Sequence, residues 1–198
     1  MVTSCPKVDL YREHAADYVA RREPAIVNIA RCQYLAIDGS GVPGGPEFQT
    51  SIAALYNVAF TVKMAQKFAG HDYIVCKLEG LWPDVKPSAH RAWTLLIRTP
   101  DFITREHLDD AVAKLIRKQK SCPVEAVRLL PLKEDWCVQA LHLGAYSEEP
   151  ATIEKMRECA ARAGMEFHGT LHEIYLSDPR RIAPDKLRTI LRQPVRDR

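Results

Sequence analysis

Apolar and polar positions along the chain switch between a period near 3.6 and a period of two, the marks of helices and half-buried strands. From Asp9 to Arg22, Leu10, His14 and Tyr18 share one helical face, and Pro24 closes the segment. A strand is expected over about Ile26–Ile37, followed by the glycine-proline loop GSGVPGGPEF. From Glu47 to Phe68 the row Phe48, Ile52, Tyr56, Phe60, Met64 and Phe68, with Leu55, Ala59 and Val62 beside it, predicts a helix that packs on a broad apolar face. Strands are expected at about 72–79 and 91–98. Thr104 is a good N-cap for a helix that turns Leu108, Val112, Leu115 and Ile116 inward. Strand patterns return in VEAVRLLPL and DWCVQALHLG. A helix from about Pro150 to Ala163 uses Ile153, Met156, Ala160 and Ala163. LHEIYLSD and KLRTILRQPV read as two last strands.

This order contains a duplication. LAIDG, ending at Gly39, matches ALHLG, ending at Gly144; KLEGLWPD matches LHEIYLSD; LLIRTP matches TILRQP. Glu79 precedes Arg98 by 19 positions and Glu173 precedes Arg192 by 19, with Pro100 and Pro194 two residues beyond each arginine. Matching order and spacing point to an internal repeat. The expected architecture is one α+β domain over residues 1–198. An N-terminal helix (about 9–22) precedes repeat one (about 26–100), a linking helix (about 104–120) and repeat two (about 124–195), each repeat β-α-β-β.

Composition leaves that picture intact. At 198 residues, 46% apolar and 27% charged, the chain matches an ordinary soluble globular protein able to bury a full core. No run approaches the ~20 apolar residues of a membrane span. The start, MVTSCPKVDLYREH, lacks a signal-peptide core. A net charge of +3 is too small to argue for nucleic acid. The cysteines (Cys5, Cys32, Cys76, Cys122, Cys137 and Cys159) form no C-x-x-C pair. Reduced thiols in a cytoplasmic protein are therefore expected.

Two motifs are set aside. Gly39-Ser-Gly41-Val-Pro-Gly44 fits G-x-G-x-x-G, but the chain lacks the repeated β-α-β order and the acidic residue of a dinucleotide site. His168 and His172 are four apart in strand or turn context, which makes no chelate. No metal and no cofactor are expected. The paired glutamates are the stronger signal, because Glu is almost never fully buried without a partner. Glu79 ends an apolar run, and each glutamate lies close to an aromatic residue, Glu79 near Trp82 and Glu173 near Tyr175. Strand alternation puts Glu173 and Tyr175 on one face, toward a groove between the repeats, with Ile174 and Leu176 toward the helices. Glu79 is expected on the opposite wall of the same groove, Trp82 being turned inward where Gly80 and Pro83 end the strand. Solvated strand ends, or ion pairs with Arg98 or Arg192, are the plainer alternative. Tyr146, just after Gly144, is placed to reach over a groove. Tyr56 continues an apolar helical row, and Trp93 alternates with Leu95 and Ile97; core packing accounts for both as well as ligand contact does.

YLAIDGSGVPGGPEFQTSIAALYNVAFTVK, LEGLW, IRTPDFIT, CVQALHLGAYSEEPATI and HEIYLSDPRRIAPDKLRTILRQPV, spanning about residues 34–195, resemble the GyrI-like small-molecule-binding family, in its stand-alone branch without a DNA-binding domain. The resemblance implies two β-α-β-β (SHS2-type) repeats forming one curved antiparallel sheet, helices on one face and a central ligand groove. It implies a partner that is small, planar and hydrophobic, with no direct contact to nucleic acid or membrane, and a monomer or weak homodimer. Some members are similar to hydrolases that open the strained cyclopropane of genotoxic natural products. Others bind drugs and report to a transcription regulator, and the founding relatives inhibit gyrase. The leading expectation is hydrolytic detoxification, with Glu173 and Glu79 catalytic and Trp82, Tyr175, Tyr146, Trp93 and Tyr56 binding the ligand. The alternative is a non-catalytic drug-binding or effector-sensing module. Two departures border the presumed groove: Pro83, where the family often has a second Trp, and Leu171–His172, where it often has two His.

Overall fold

A computed structural model describes residues 7–83, 91–119 and 122–198. Cys5 and Asp84, the last residue of KLEGLWPD, lie outside them. In chain order the elements are α1 (Leu10–Glu13), α2 (Ala15–Tyr18), β1 (Ala25–Ile29), β2 (Cys32–Gly41), α3 (Pro46–Phe68), β3 (Leu78–Trp82), β4 (Arg91–Arg98) and α4 (Arg105–Arg117), then β5 (Arg128–Leu132), β6 (Asp135–Leu143), α5 (Glu149–Arg162), β7 (Met165–Phe167), β8 (Leu171–Tyr175) and β9 (Arg188–Asp197). The class is α+β, with antiparallel pairing of these strands.

The chain forms two compact units: Met1–Ala15, Cys32–Cys76 and Ser88–Leu132 in the first, and Ala16–Arg31, Lys77–Pro87 and Lys133–Arg198 in the second. These units interleave the two sequence repeats. In the first, β2 lies between β4 and β5. Trp93, Leu95 and Ile97 of β4 share a face with Leu35 and Ile37 of β2. α3 covers that face, Phe48 meeting Trp93 edge-on at 5.1 Å between centroids. In the second, the order is β1-β6-β9-β8-β3, and β7 also pairs with β9. α5 covers the face of β6 that carries His142, whose Nδ1 lies 2.9 Å from Thr152 Oγ1.

Register bears out the duplication. Tyr34 of β2 faces Arg98 of β4, and Gln139 of β6 faces Arg192 of β9. Both pairs follow from the alignment of Gly39 with Gly144 and Arg98 with Arg192. The strand opening each half pairs with the second strand of the other half, β1 with β6 and β5 with β2.

Several expected elements differ. The strand at 26–37 is two strands, broken at Ala30–Arg31, because β1 and β2 serve different units. The expected N-terminal helix is two short helices. Residues 72–77 are not in a strand. Ile74 N and Asp72 O instead bond to Val8 of the N-terminal segment at 2.9 and 3.0 Å. The α3 row does not stay buried: Phe48 is 9% exposed, Phe60 53% and Phe68 84%. Each step of four residues overshoots a helical turn by about 40°, so the row winds from the sheet toward solvent. The packed stripe is Ala54, Leu55, Val58, Ala59 and Val62.

Candidate functional site

The site is built on the β3–β8 ribbon of the second unit. Glu79 pairs with Ile174, Gly80 with Glu173, Leu81 with His172 and Trp82 with Leu171. Directly paired residues of an antiparallel ladder share a face, and successive residues alternate. Gly80, Trp82, Leu171, Glu173 and Tyr175 therefore lie on one face, and Glu79, Leu81, His172 and Ile174 on the other. Through β9, Glu173 aligns with Leu191 and Tyr175 with Thr189, which pairs with His142. The Glu173 face is thus the face that carries α5.

Two expectations are corrected here. Glu79 and Glu173 do not face a common groove; they project from opposite faces of one ribbon. Ile174 faces away from α5, not toward it. Equivalent positions that keep one face of this ribbon must be an odd number of residues apart, so Glu79 and Glu173, on opposite faces, are not counterparts. The equal spacing to the arginines concealed a one-residue offset, and a one-residue slip flips every side chain in a strand.

On the α5 face, the Tyr175 hydroxyl donates to Glu173 Oε2 at 2.8 Å and accepts the Trp82 indole N–H at 3.1 Å. Both groups cross over Gly80. A Cβ there would sit 2.9 Å from the Tyr175 oxygen and 3.2 Å from Trp82 Nε1, so only glycine leaves room for the relay. The Tyr146 ring meets Tyr175 edge-on at 6.0 Å and 81°. Tyr146 is 39% exposed, whereas Trp82, Glu173 and Glu149 are all buried. Burial, and after it the charge of Glu173, hold the Tyr175 phenol well above its ordinary pKa of 10.0. Burial, then the carboxylates of Glu149, Glu173 and Asp178, push Tyr146 up to about 12. Both phenols therefore keep their protons at neutral pH. The turn that presents Tyr146 is fixed at Gly144, whose φ of 132° suits glycine. His142 Nε2 donates to Ala145 O at 3.0 Å, and Gly144 N–H donates to Leu187 O at 3.1 Å.

The opposite face holds a buried chain of charges. His172 lies between two carboxylates, Nε2 at 2.9 Å from Glu79 Oε2 and Nδ1 at 3.0 Å from Glu134 Oε1. Arg192 Nη1 donates to Glu134 Oε2 at 2.9 Å, its Nε to Gln139 Oε1 at 2.7 Å, and its Nη2 to Asp17 O at 2.5 Å. The Tyr18 hydroxyl donates to Glu79 Oε1 at 3.3 Å. An ionised Glu134 only accepts, so Nδ1 of His172 carries the hydrogen between them. Burial alone would lower its pKa; the charge and hydrogen bond of Glu134, then those of Glu79, outweigh burial and raise it to about 9. Burial likewise opposes ionisation of Glu134, but His172 and then Arg192 bring it down to about 2. Each buried charge of Glu134, His172 and Arg192 thus has an oppositely charged partner within 3.0 Å, the pairing that a buried ion needs.

Glu173, Tyr175, Trp82 and Tyr146 are thus brought together on one face of one unit. Trp93 and Tyr56 belong to the first unit. Trp93 is 2% exposed against Phe48; Tyr56 stacks on Phe60 at 6.0 Å, beside a hollow between α3 and α4. Sequence reasoning missed Glu149, Glu134, Gln139 and Tyr18. A buried glutamate at the first position of α5 is legible only through its tertiary neighbours. Among the described residues no group of three His, Cys, Asp or Glu side chains is arranged to hold a metal ion, and no helix is long and apolar enough to cross a membrane.

The family model described as GyrI-like small molecule binding domain matches residues 22–196. The solved structure of a hydrolase from Listeria innocua is 35% identical to this chain, covering 96% of this chain and 100% of that one, with a TM-score of 0.88. A second Listeria innocua hydrolase is 33% identical, covers 96% and 100% of the two chains, and has a TM-score of 0.89. The EcmrR C-terminal domain, 13% identical over 88% of this chain and 98% of its own, shares the fold at a TM-score of 0.59. No curated protein matches the chain.

Proposed function

Because the chain belongs to the GyrI-like small-molecule-binding domain family, we propose that it is a hydrolase that adds water to planar, apolar electrophiles bearing a strained cyclopropane. The observation that carries this reading is the relay from Trp82 through Tyr175 to Glu173, which holds a buried carboxylate in a fixed orientation among aromatic rings. The resemblance to two hydrolases at 33–35% identity over their whole length supports the reaction class.

In this reading Glu173 is the general base. Water attacks a cyclopropane carbon, and Glu173 takes the departing proton as the C–O bond forms. The ring C–C bond breaks, and its electron pair moves into a conjugated carbonyl of the ligand. The resulting oxyanion is then protonated by the proton held on Glu173, so the net change is one water added. Tyr175 remains protonated and orients Glu173. Tyr146, also protonated and partly exposed, donates a hydrogen bond to the developing oxyanion. Trp82 orients the Tyr175 hydroxyl and supplies apolar wall.

Incubation with a cyclopropane-bearing DNA alkylator, followed by mass spectrometry, tests this directly. The expected product is the ligand plus one water, in excess of one equivalent per protein. Saturable binding with no water adduct would favour the drug-binding module instead.

A further inference from the structure

The outer side of α3 carries a surface that the proposed hydrolysis does not use. Phe60 and Met64 are 53% and 39% exposed, although each is large and apolar. Isolated exposed apolar residues need no explanation, but these two border a defined concavity. Between α3 and α4, wholly within the first unit, lies an open hollow of about 480 Å³. That size is in the range of clefts that take small ligands, about 300–1,000 Å³. Tyr56, Phe60, Met64 and Leu115 form its apolar lining, with the rings of Tyr56 and Phe60 stacked at an interplanar angle of 25°. Lys114 and Lys118 complete one wall. Four residues apart at the end of α4, they sit on the same side of the helix, and both are exposed. No acidic side chain lines the hollow among the described residues.

We propose that this hollow is a second ligand site, selective for an amphiphilic anion: an aromatic or short acyl group that ends in a carboxylate. The flat apolar part lies against Tyr56, Phe60 and Met64. The carboxylate lies between the ammonium groups of Lys114 and Lys118, the charged groups of a lining without an acidic side chain among the described residues. A cationic ligand of the same shape meets the same floor but is repelled at the rim, so charge sets the selectivity. The site is independent of Glu173 and of the hydrolytic reading.

The test is a titration of the full ¹⁵N-labelled chain with 1-naphthoate and, separately, with 1-naphthylmethylammonium, followed by amide shifts. Saturable shifts for naphthoate are expected within residues 53–64 and 114–118, with binding at least tenfold weaker for the cation. Lys114→Glu/Lys118→Glu lies on exposed positions and is expected to keep the wild-type spectrum elsewhere, while reversing the preference between the two ligands. Three results would overturn the proposal: no saturable shifts in these segments, equal affinity for anion and cation, or unchanged naphthoate binding in the double variant.

Discussion

Replacing His172 with glutamine probes the buried ionic chain that backs the site. Gln keeps hydrogen-bonding capacity but removes the positive charge, leaving Glu79 (0% exposed) and Glu134 (7% exposed) facing one another across a neutral group. A pKa held at about 9 against an ordinary 6.5 corresponds to about 3 kcal/mol of preference for the charged form in the folded state. Removal of one partner from a buried ion pair typically costs about 3–5 kcal/mol, so the two routes agree. The same contacts seen from Glu134 are not added, since a coupled pair shares one interaction energy. The sign of the pH effect follows from the raised pKa. Stability from His172 is fully present below about pH 6.5, fades as pH rises, and is lost on passing about pH 9. Urea unfolding of the wild type and His172→Gln should therefore differ by about 3 kcal/mol near pH 6, and the gap should close toward about pH 10. A gap below about 1 kcal/mol at pH 6, the level of an exposed pair, or a gap constant with pH, would refute the ionic reading.

Three further outcomes concern the α5 face. Gly80→Ala drives a methyl group against the Tyr175 hydroxyl and Trp82 Nε1; a stability loss of about 1–3 kcal/mol by thermal or urea unfolding should accompany loss of turnover. Trp82→Phe removes the indole donor at 3.1 Å; unfolding should show a cost of about 0.5–1.5 kcal/mol, and steady-state kinetics a fall in kcat larger than any rise in KM. Tyr146→Phe keeps the edge-to-face contact with Tyr175 but not the hydroxyl, so kcat should drop by about 10²-fold with folding stability unchanged.

Much of this architecture could be read from residue order alone. β4 spans the expected 91–98, and the capping role of Thr104 is visible in its side chain accepting from His107 N at 3.4 Å. The Gly39/Gly144 and Arg98/Arg192 correspondences survive as strand register. What failed did so for identifiable physical reasons. The pairing of Glu79 with Glu173 rested on spacing to Arg98 and Arg192, and spacing cannot reveal where along the chain one extra residue is absorbed. The strand pattern at 26–37 hid a change of partners, from β6 beside β1 to β4 and β5 beside β2, because only Ala30–Arg31 separates the two segments. The row from Phe48 to Phe68 was read as one face, although a period of four drifts steadily around a helix of 3.6 residues per turn. Glu134 and Gln139 carried no local signal, and Tyr18 only that of a helical face; their roles appear against His172, Arg192 and Glu79, which lie 38, 53 and 61 residues away in sequence.

The central claim is that Glu173 moves the proton in catalysis while Glu79, on the other face, does not. The most direct measurement is multiple-turnover hydrolysis of a cyclopropane-bearing alkylator by the wild type, Glu173→Gln and Glu79→Gln, with ligand affinity measured in parallel by calorimetry. Glu173→Gln should abolish turnover yet bind within about tenfold of the wild type, roughly 1.4 kcal/mol, because the amide keeps shape and hydrogen-bonding capacity but accepts no proton. Glu79→Gln should lose stability and keep kcat wherever it is folded. Full turnover by Glu173→Gln, with loss in Glu79→Gln, would contradict the account.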